Sequence, residues 1–208
     1  HGGIEDSVEL LVVPAVWIED MFVRPDVKTG MIRIDLNVRN TLAESSKGRL
    51  QFTVSPAASG ETLLVSAIQK DLSPGDTTIT TQVKLDNPHL WQLNDPFLYR
   101  VTARLKTGAS GSCDERSVRS GFRDFRLEDG YFRLNGRRIF LRSSVTGNMA
   151  PVGTHIPPQD TDWFRRDLIN CKAMGFNAIR FYGLATRYQL DLCDEIGLMV
   201  YEEAYSSQ

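Results

Sequence analysis

The hydrophobic period of this chain changes once, near Gly121, and that change restricts the fold more than any other feature. From Val16 to about Gly121 apolar residues return at every second position, as a half-buried strand requires, because successive side chains point to opposite faces. Beyond Gly121 short apolar runs alternate with stretches of helical spacing, the pattern of strands joined by crossover helices. A fold for this chain needs antiparallel sheets first and strand–helix alternation second.

Met31 to Asn40 is the cleanest strand: Ile32, Ile34, Leu36 and Val38 alternate with Arg33, Asp35, Asn37 and Arg39. Phe97 to Lys106 repeats the pattern, and further strands are expected near 16–24, 49–54, 62–69, 77–85 and 115–121. Pro-, Gly-, Ser- and Asp-rich connectors separate them, so residues 15–121 predict an immunoglobulin-like antiparallel β-sandwich. No Cys–Trp–Cys pattern of the antibody type is present. Asp129-Gly130 and Asn135-Gly136 then predict two tight hairpin turns, leading into a strand over Arg138–Ser143. A helix over about Gln159–Met174 capped by Gly175, a strand over Asn177–Tyr182, and a second helix from Thr186 to Gly197 follow. Leu198–Glu202 reads as a third strand. Thr186 with Gln189 three residues on forms a capping box. Such alternation calls for parallel pairing through right-handed crossovers. Residues 10–13 read as the end of a strand from an earlier domain, with 1–14 as that domain's tail.

Of the 208 residues 41% are hydrophobic and 24% charged, enough to build a core. A formal net charge of -2 gives no whole-chain electrostatic case for nucleic acid or an anionic membrane. Apolar runs such as Leu10–Val13 and Leu63–Val65 fall far short of the roughly 20 residues of a membrane-spanning helix. No signal peptide is legible, His1-Gly2-Gly3 reads as a cut inside a longer polypeptide or a processed end, and the compartment stays open. Of three cysteines, Cys171 and Cys193 fall on apolar helix faces and read as buried hydrophobes; Cys113 reads as a loop residue. Their spacing suits neither a disulfide framework nor a zinc site.

Several blocks occur together and in order: SVELLVVP (Ser7–Pro14), NPHLWQLNDPFLYRV (Asn87–Val101), GFRDFRLEDGYFRLNGRRIFLR (Gly121–Arg142), FNAIRFYG (Phe176–Gly183) and LCDEIGLMVYEEA (Leu192–Ala204). This ordered set resembles glycoside hydrolase family 2, which includes β-galactosidases, β-glucuronidases and β-mannosidases. The resemblance implies the end of a sugar-binding-like jelly roll, the sandwich, and, over 122–208, a hairpin meander with the first three strands and two helices of a TIM (β/α)8 barrel. Trp91, Pro96 and Tyr99 read as core and turn residues leading into a sandwich strand, and the double hairpin as a plug in the barrel floor.

In TIM barrels the reacting groups sit at the C-terminal ends of the strands. The resemblance places Arg142 and Asn148 after the first strand, Arg180 and Tyr182 at the end of the second, and Glu202 and Glu203 after the third, as candidate substrate-binding residues. For each a bland reading stands beside the functional one: a structural ion pair for the arginines, loop packing for Asn148 and Tyr182. Of Glu202 and Glu203, one is expected to face the barrel mouth and the other to pack or pair with a cation. The family's retaining mechanism uses two glutamates on the fourth and seventh barrel strands, so none of the catalytic pair is expected up to Gln208. The family's histidines after the first and second strands are absent from SSVTGNMAP and FYGLATRY, and the YSSQ end does not match the magnesium ligands of bacterial β-galactosidases. Neither a metal, a cofactor nor galactose specificity carries over.

The implied function is part of a retaining β-glycosidase acting on β-linked carbohydrate, completed by the remainder of the same polypeptide, with homo-oligomerisation open. The alternative is a catalytically inert structural or carbohydrate-binding module of the same fold. The missing histidines, and Ser143 where the family usually has glycine, favour that alternative.

Overall fold

A computed structural model describes residues 8–108, 112–145, 161–181 and 184–203. In chain order the strands are β1 (Val16–Pro25), β2 (Met31–Asn40), β3 (Ser46–Pro56), β4 (Leu64–Leu72), β5 (Gly75–Lys84), β6 (Trp91–Gln92), β7 (Asp95–Pro96), β8 (Tyr99–Thr107) and β9 (Ser112–Ser120). There follow β10 (Phe125–Glu128), β11 (Tyr131–Leu134), β12 (Arg137–Arg138), β13 (Ser143–Val145), α1 (Thr161–Ala173), β14 (Ala178–Phe181), α2 (Arg187–Ile196) and β15 (Met199–Glu202). The chain is mostly β and divides into two compact units.

Leu10–Leu90 with Phe97–Asp124 make one unit. It holds two antiparallel sheets, in strand orders β1-β2-β5 and β4-β3-β8-β9. Their inner faces share one core, in which Ile32, Ile34 and Leu36 of β2, Leu50, Phe52 and Val54 of β3, and Ala103 of β8 are fully buried. Each large aliphatic residue there contributes on the order of 1.5–3 kcal/mol relative to exposure. β1 needs a correction to strict alternation. Val16 and Ile18 point inward, but so do Met21 and Val23, which have the opposite parity. A register shift between Ile18 and Asp20 absorbs the difference: the extra residue of a β-bulge returns the side chains to the core face. The freed Ile18 N–H donates to Asp114 Oδ2 at 2.7 Å, tying β1 to β9. Asn40 is buried and satisfied, donating from Nδ2 to the Glu44 and Leu72 carbonyls and accepting from Leu42 N–H at 2.9 Å. Gly30, at φ 71, accepts an N–H from Leu85 where a Cβ would strike the Leu85 carbonyl.

The second unit takes Val8 and Glu9, Trp91–Pro96 and the described residues from Phe125 on. Asp129-Gly130 and Asn135-Gly136 all have positive φ, as two-residue hairpin turns need, and β10-β11-β12 form a meander. β13, β14 and β15 pair in parallel, in chain order, as an open three-stranded sheet. Ile179 and Phe181 of β14 pack on Phe164, Leu168 and Cys171 of α1 and Leu192 and Cys193 of α2. α2 carries the complete Thr186–Gln189 capping box and ends on Gly197 in the left-handed conformation.

Four expectations need correction. The strand expected over Arg138–Ser143 is split: Arg137–Arg138 close the meander against β11, and the parallel strand starts at Ser143. The Asn135-Gly136 turn folds the chain straight back onto β11, which claims those residues first. Residues 10–13 form no strand; Leu10, Leu11 and Val12 are exposed. Cys113 lies within β9 rather than a loop, because that strand begins at Ser112. Trp91 and Pro96 do not belong to the two-sheet unit. They pair as the β6-β7 hairpin, and only Tyr99 enters the two-sheet core.

Candidate active-site edge of the parallel sheet

Parallel strands bring their N-terminal ends to one edge and their C-terminal ends to the other, and the two edges here differ in chemistry. At the N-terminal edge Asn177, buried, ties the strand entries together. Its Oδ1 accepts the Arg142 N–H at 2.9 Å and its Nδ2 donates to the Phe140 carbonyl at 2.9 Å. Its own carbonyl accepts the Met199 N–H at the start of β15. One residue, through its side chain and its carbonyl, therefore ties together the entries of the three strands.

The C-terminal edge carries the charge. In β14 Ile179 and Phe181 face the helices, so Arg180 projects from the opposite face, beside Tyr201 in register. Glu203 has the same parity as Tyr201, and the Arg180 guanidinium holds its carboxylate through both Nε and an Nη nitrogen. Both nitrogens meet one oxygen, Oε1, in a charge-assisted contact that leaves Oε2 outside the grip. Glu202, the last residue of β15, instead accepts the Ala185 N–H at 2.8 Å, anchoring the segment that leads into α2.

Lys172 is a further polar fixture of this unit. Its ammonium donates to the Ile196 and Gly197 carbonyls, each at 2.8 Å, and to the Leu93 carbonyl of the β6-β7 hairpin. Burial pushes its pKa below the usual lysine range. Trp91, almost fully buried, donates from Nε1 to the Asp194 carbonyl at 2.8 Å, and the Asn135 side chain donates to the Trp91 carbonyl. Burial also pushes the Cys193 thiol up to about 12, so it stays a thiol throughout the neutral range.

Of the candidate residues, Arg180, Glu202 and Glu203 meet at the C-terminal edge. Arg142 does not. It precedes β13 at the N-terminal edge, with Nη1 3.7 Å from the position of a Cβ on Gly175, in the turn between α1 and β14. Its expected place after the first strand depended on ending that strand too early. Asn148 and Tyr182 lie outside the described residues. Sequence reasoning missed Asn177, Lys172 and Trp91 as organisers; a polar residue interrupting an apolar run, as Asn177 does in FNAIRF, is the signal that marks such a position. Among the described residues no group of three or more His, Cys, Asp or Glu side chains could hold a metal, and no helix is long and apolar enough to cross a membrane.

Comparison with known proteins agrees with this architecture. Residues 16–123 match the family described as Glycosyl hydrolases family 2. A β-galactosidase from Thermoanaerobacter pseudethanolicus is 30% identical over 213 aligned residues, taking in 97% of this chain and 27% of its own length. A β-galactosidase from Oenococcus oeni is 23% identical over 209, with 97% and 20% covered. Among solved structures, a glycosyl hydrolase family 2 member from Bacteroides cellulosilyticus superposes with a TM-score of 0.83 at 23% identity, over 93% of this chain and 25% of the other. The Bacteroides uniformis β-glucuronidase gives 0.79 at 24%, over 92% and 24%. The chain belongs to glycosyl hydrolase family 2. It spans about a quarter or less of the length of these relatives.

Proposed function

We propose that this chain is the immunoglobulin-like sandwich and the opening β/α units of a TIM-barrel catalytic domain in a retaining β-glycosidase. The observation that carries the reading is the Arg180–Glu203 pair at the C-terminal edge of a parallel sheet, the edge where such barrels gather their reacting groups. The β-galactosidase relatives supply the reaction class.

Retaining hydrolysis needs a proton-donating carboxyl and a nucleophilic carboxylate about 5–5.5 Å apart on either side of the glycosidic bond. Neither role is assigned to a residue of this chain. Arg180 and Glu203 contribute instead as a rigid polar rim. The guanidinium holds Glu203 by one oxygen, so that the other meets a sugar hydroxyl from a side chain already partly ordered. Glu202 anchors the segment entering α2 and so sets the wall beside that rim.

The test uses the complete protein and a panel of aryl β-galactosides, β-glucuronides and β-mannosides. Turnover of at least one is expected, with kcat/KM lowered about a hundredfold by Arg180→Ala, as a misplaced positioning group allows. Absence of turnover on every substrate rejects the reading; saturable sugar binding without turnover identifies an inert carbohydrate-binding module instead.

A further inference from the structure

The two outer faces of the two-sheet unit treat charge in opposite ways. On the β1-β2-β5 sheet the cations are neutralised within the fold. Asp35 takes Arg24 at 2.9 Å and Arg33 at 3.1 Å, and Arg39 takes Asp76 at 2.7 Å and Glu19 at 3.4 Å. On the β4-β3-β8-β9 sheet the outward positions bring together Lys47 and Arg49 of β3 and Lys106 of β8 at one end, with Asp71 of β4 opposite Lys47; Arg104, opposite Glu115, lies further along, and Arg100 and Arg119 lie at the far end. Lys47, Arg49, Arg100 and Lys106 are exposed, and none has a carboxylate within ion-pair distance among the described residues. The register sets Arg49 opposite Lys106, like charges placed side by side. Such pairs destabilise a sheet unless something neutralises them.

Lys47, Arg49 and Lys106 border a cleft of about 440 Å³ at that end of the sheet, lined also by Gln69, Lys70 and Asp71. Outward side chains recur roughly every 7 Å along a strand and about 5 Å between strands, a lattice on which a chain of regularly spaced anions can be met repeatedly. Uncharged hydrogen-bonding groups lie between them: Gln51, Thr53 and Gln69, and Thr102, whose hydroxyl meets Ser117 Oγ at 2.7 Å. No outward position of β3, β8 or β9 carries an aromatic side chain, so the face lacks the stacking platform that single-stranded nucleic acids use.

We infer that the outer face of the β4-β3-β8-β9 sheet, centred on Lys47, Arg49 and Lys106, is a docking surface for a carboxylate-bearing polysaccharide. Membership of a glycosyl hydrolase family selects a glycan among polyanions, and the interleaved amides and hydroxyls suit sugar hydroxyls. The surface lies on the two-sheet unit, and its role is to hold an acidic glycan rather than to cut it.

Polygalacturonate binding to the 208-residue chain tests this, with dextran as the neutral glycan and oligo-dT as the alternative polyanion. Polygalacturonate is expected to bind saturably, to weaken as salt is raised, and to lose roughly tenfold or more in affinity in Arg49→Glu and in Lys106→Glu. Arg49→Gln, which preserves length and polarity, is expected to lose less, and Lys84→Glu on the other outer face to leave affinity unchanged. Thermal midpoints confirm that each variant is folded. Equal binding of dextran, tighter binding of oligo-dT, the same loss in Lys84→Glu, or no effect of reversal at Arg49 and Lys106 overturns the assignment. Because no turnover is measured, failure here leaves the β-glycosidase reading separately testable.

Discussion

Asp35 shows how one residue can set the acid response of a sheet. Its carboxyl is held below the ordinary 3.8 chiefly by the Thr80 hydroxyl, with Arg33 and Arg24 adding to the effect. A carboxylate with a depressed folded pKa stabilises above its unfolded pKa, and that contribution is lost as pH falls through the folded value. Asp35→Asn is therefore expected to lower the thermal midpoint at neutral pH, and the gap from the parent is expected to close below the folded pKa. Circular-dichroism melts across that range check both. Cysteine reactivity gives a second residue-level expectation. Cys113 is exposed while Cys171 and Cys193 are buried with raised pKa values. A disulfide reagent at neutral pH should label Cys113 at once and the other two only on unfolding, because the thiolate is the reactive form. The buried placing of Cys171 and Cys193 was legible from helical spacing alone. Their partners were not, since spacing shows which face is apolar and not what lies against it.

At the scale of elements, the β6-β7 hairpin is the least obvious piece. Its sequence, WQLNDP, lies between residues of the two-sheet unit, yet it makes its hydrogen bonds to Lys172, Asp194 and Asn135. Trp91→Ala is expected to destabilise the parallel unit by about 3–5 kcal/mol through the cavity left behind. Trp91→Phe is expected to cost only about 1 kcal/mol, chiefly the lost indole hydrogen bond. Urea titrations of the two variants compare these losses. The strands of the two-sheet unit were readable because alternation is written locally, in each pair of neighbouring residues. The bulge in β1 was not, since the skipped parity at Glu19–Asp20 is meaningful only against β2. The start of β13 was misread for a related reason. Ile139 to Leu141 have strand-like composition, but the Asn135-Gly136 turn and the Asn177 side chain decide where pairing begins.

At the scale of the whole molecule the two units differ in how completely they satisfy themselves. The two-sheet unit closes its core between two sheets. The parallel sheet is covered by helices on one face, while Val145 and Tyr201 on the other are exposed and β15 is an edge strand. Parallel sheets are ordinarily buried on both faces. Hydrogen exchange on the 208-residue chain is thus expected to show β14 and β15 opening well before β2 and β3; slower exchange in β14 than in β2 would contradict this. The candidate site was legible only as a set of strand ends, which group Arg180 with Glu202 and Glu203; that Glu203 is the one to take the arginine depends on the fold. Arg142 was misplaced because its side of the sheet depends on a boundary set by distant contacts.

The hairpin also fixes the traffic of the backbone. The polypeptide leaves the two-sheet unit after Leu90, contributes Trp91–Pro96 to the parallel unit, and returns at Phe97 before departing again beyond Asp124. No single scission can part the two units intact. An evolutionary exchange of one for a foreign counterpart would require crossovers on both sides of the excursion, or else a newcomer able to accept the resident tryptophan.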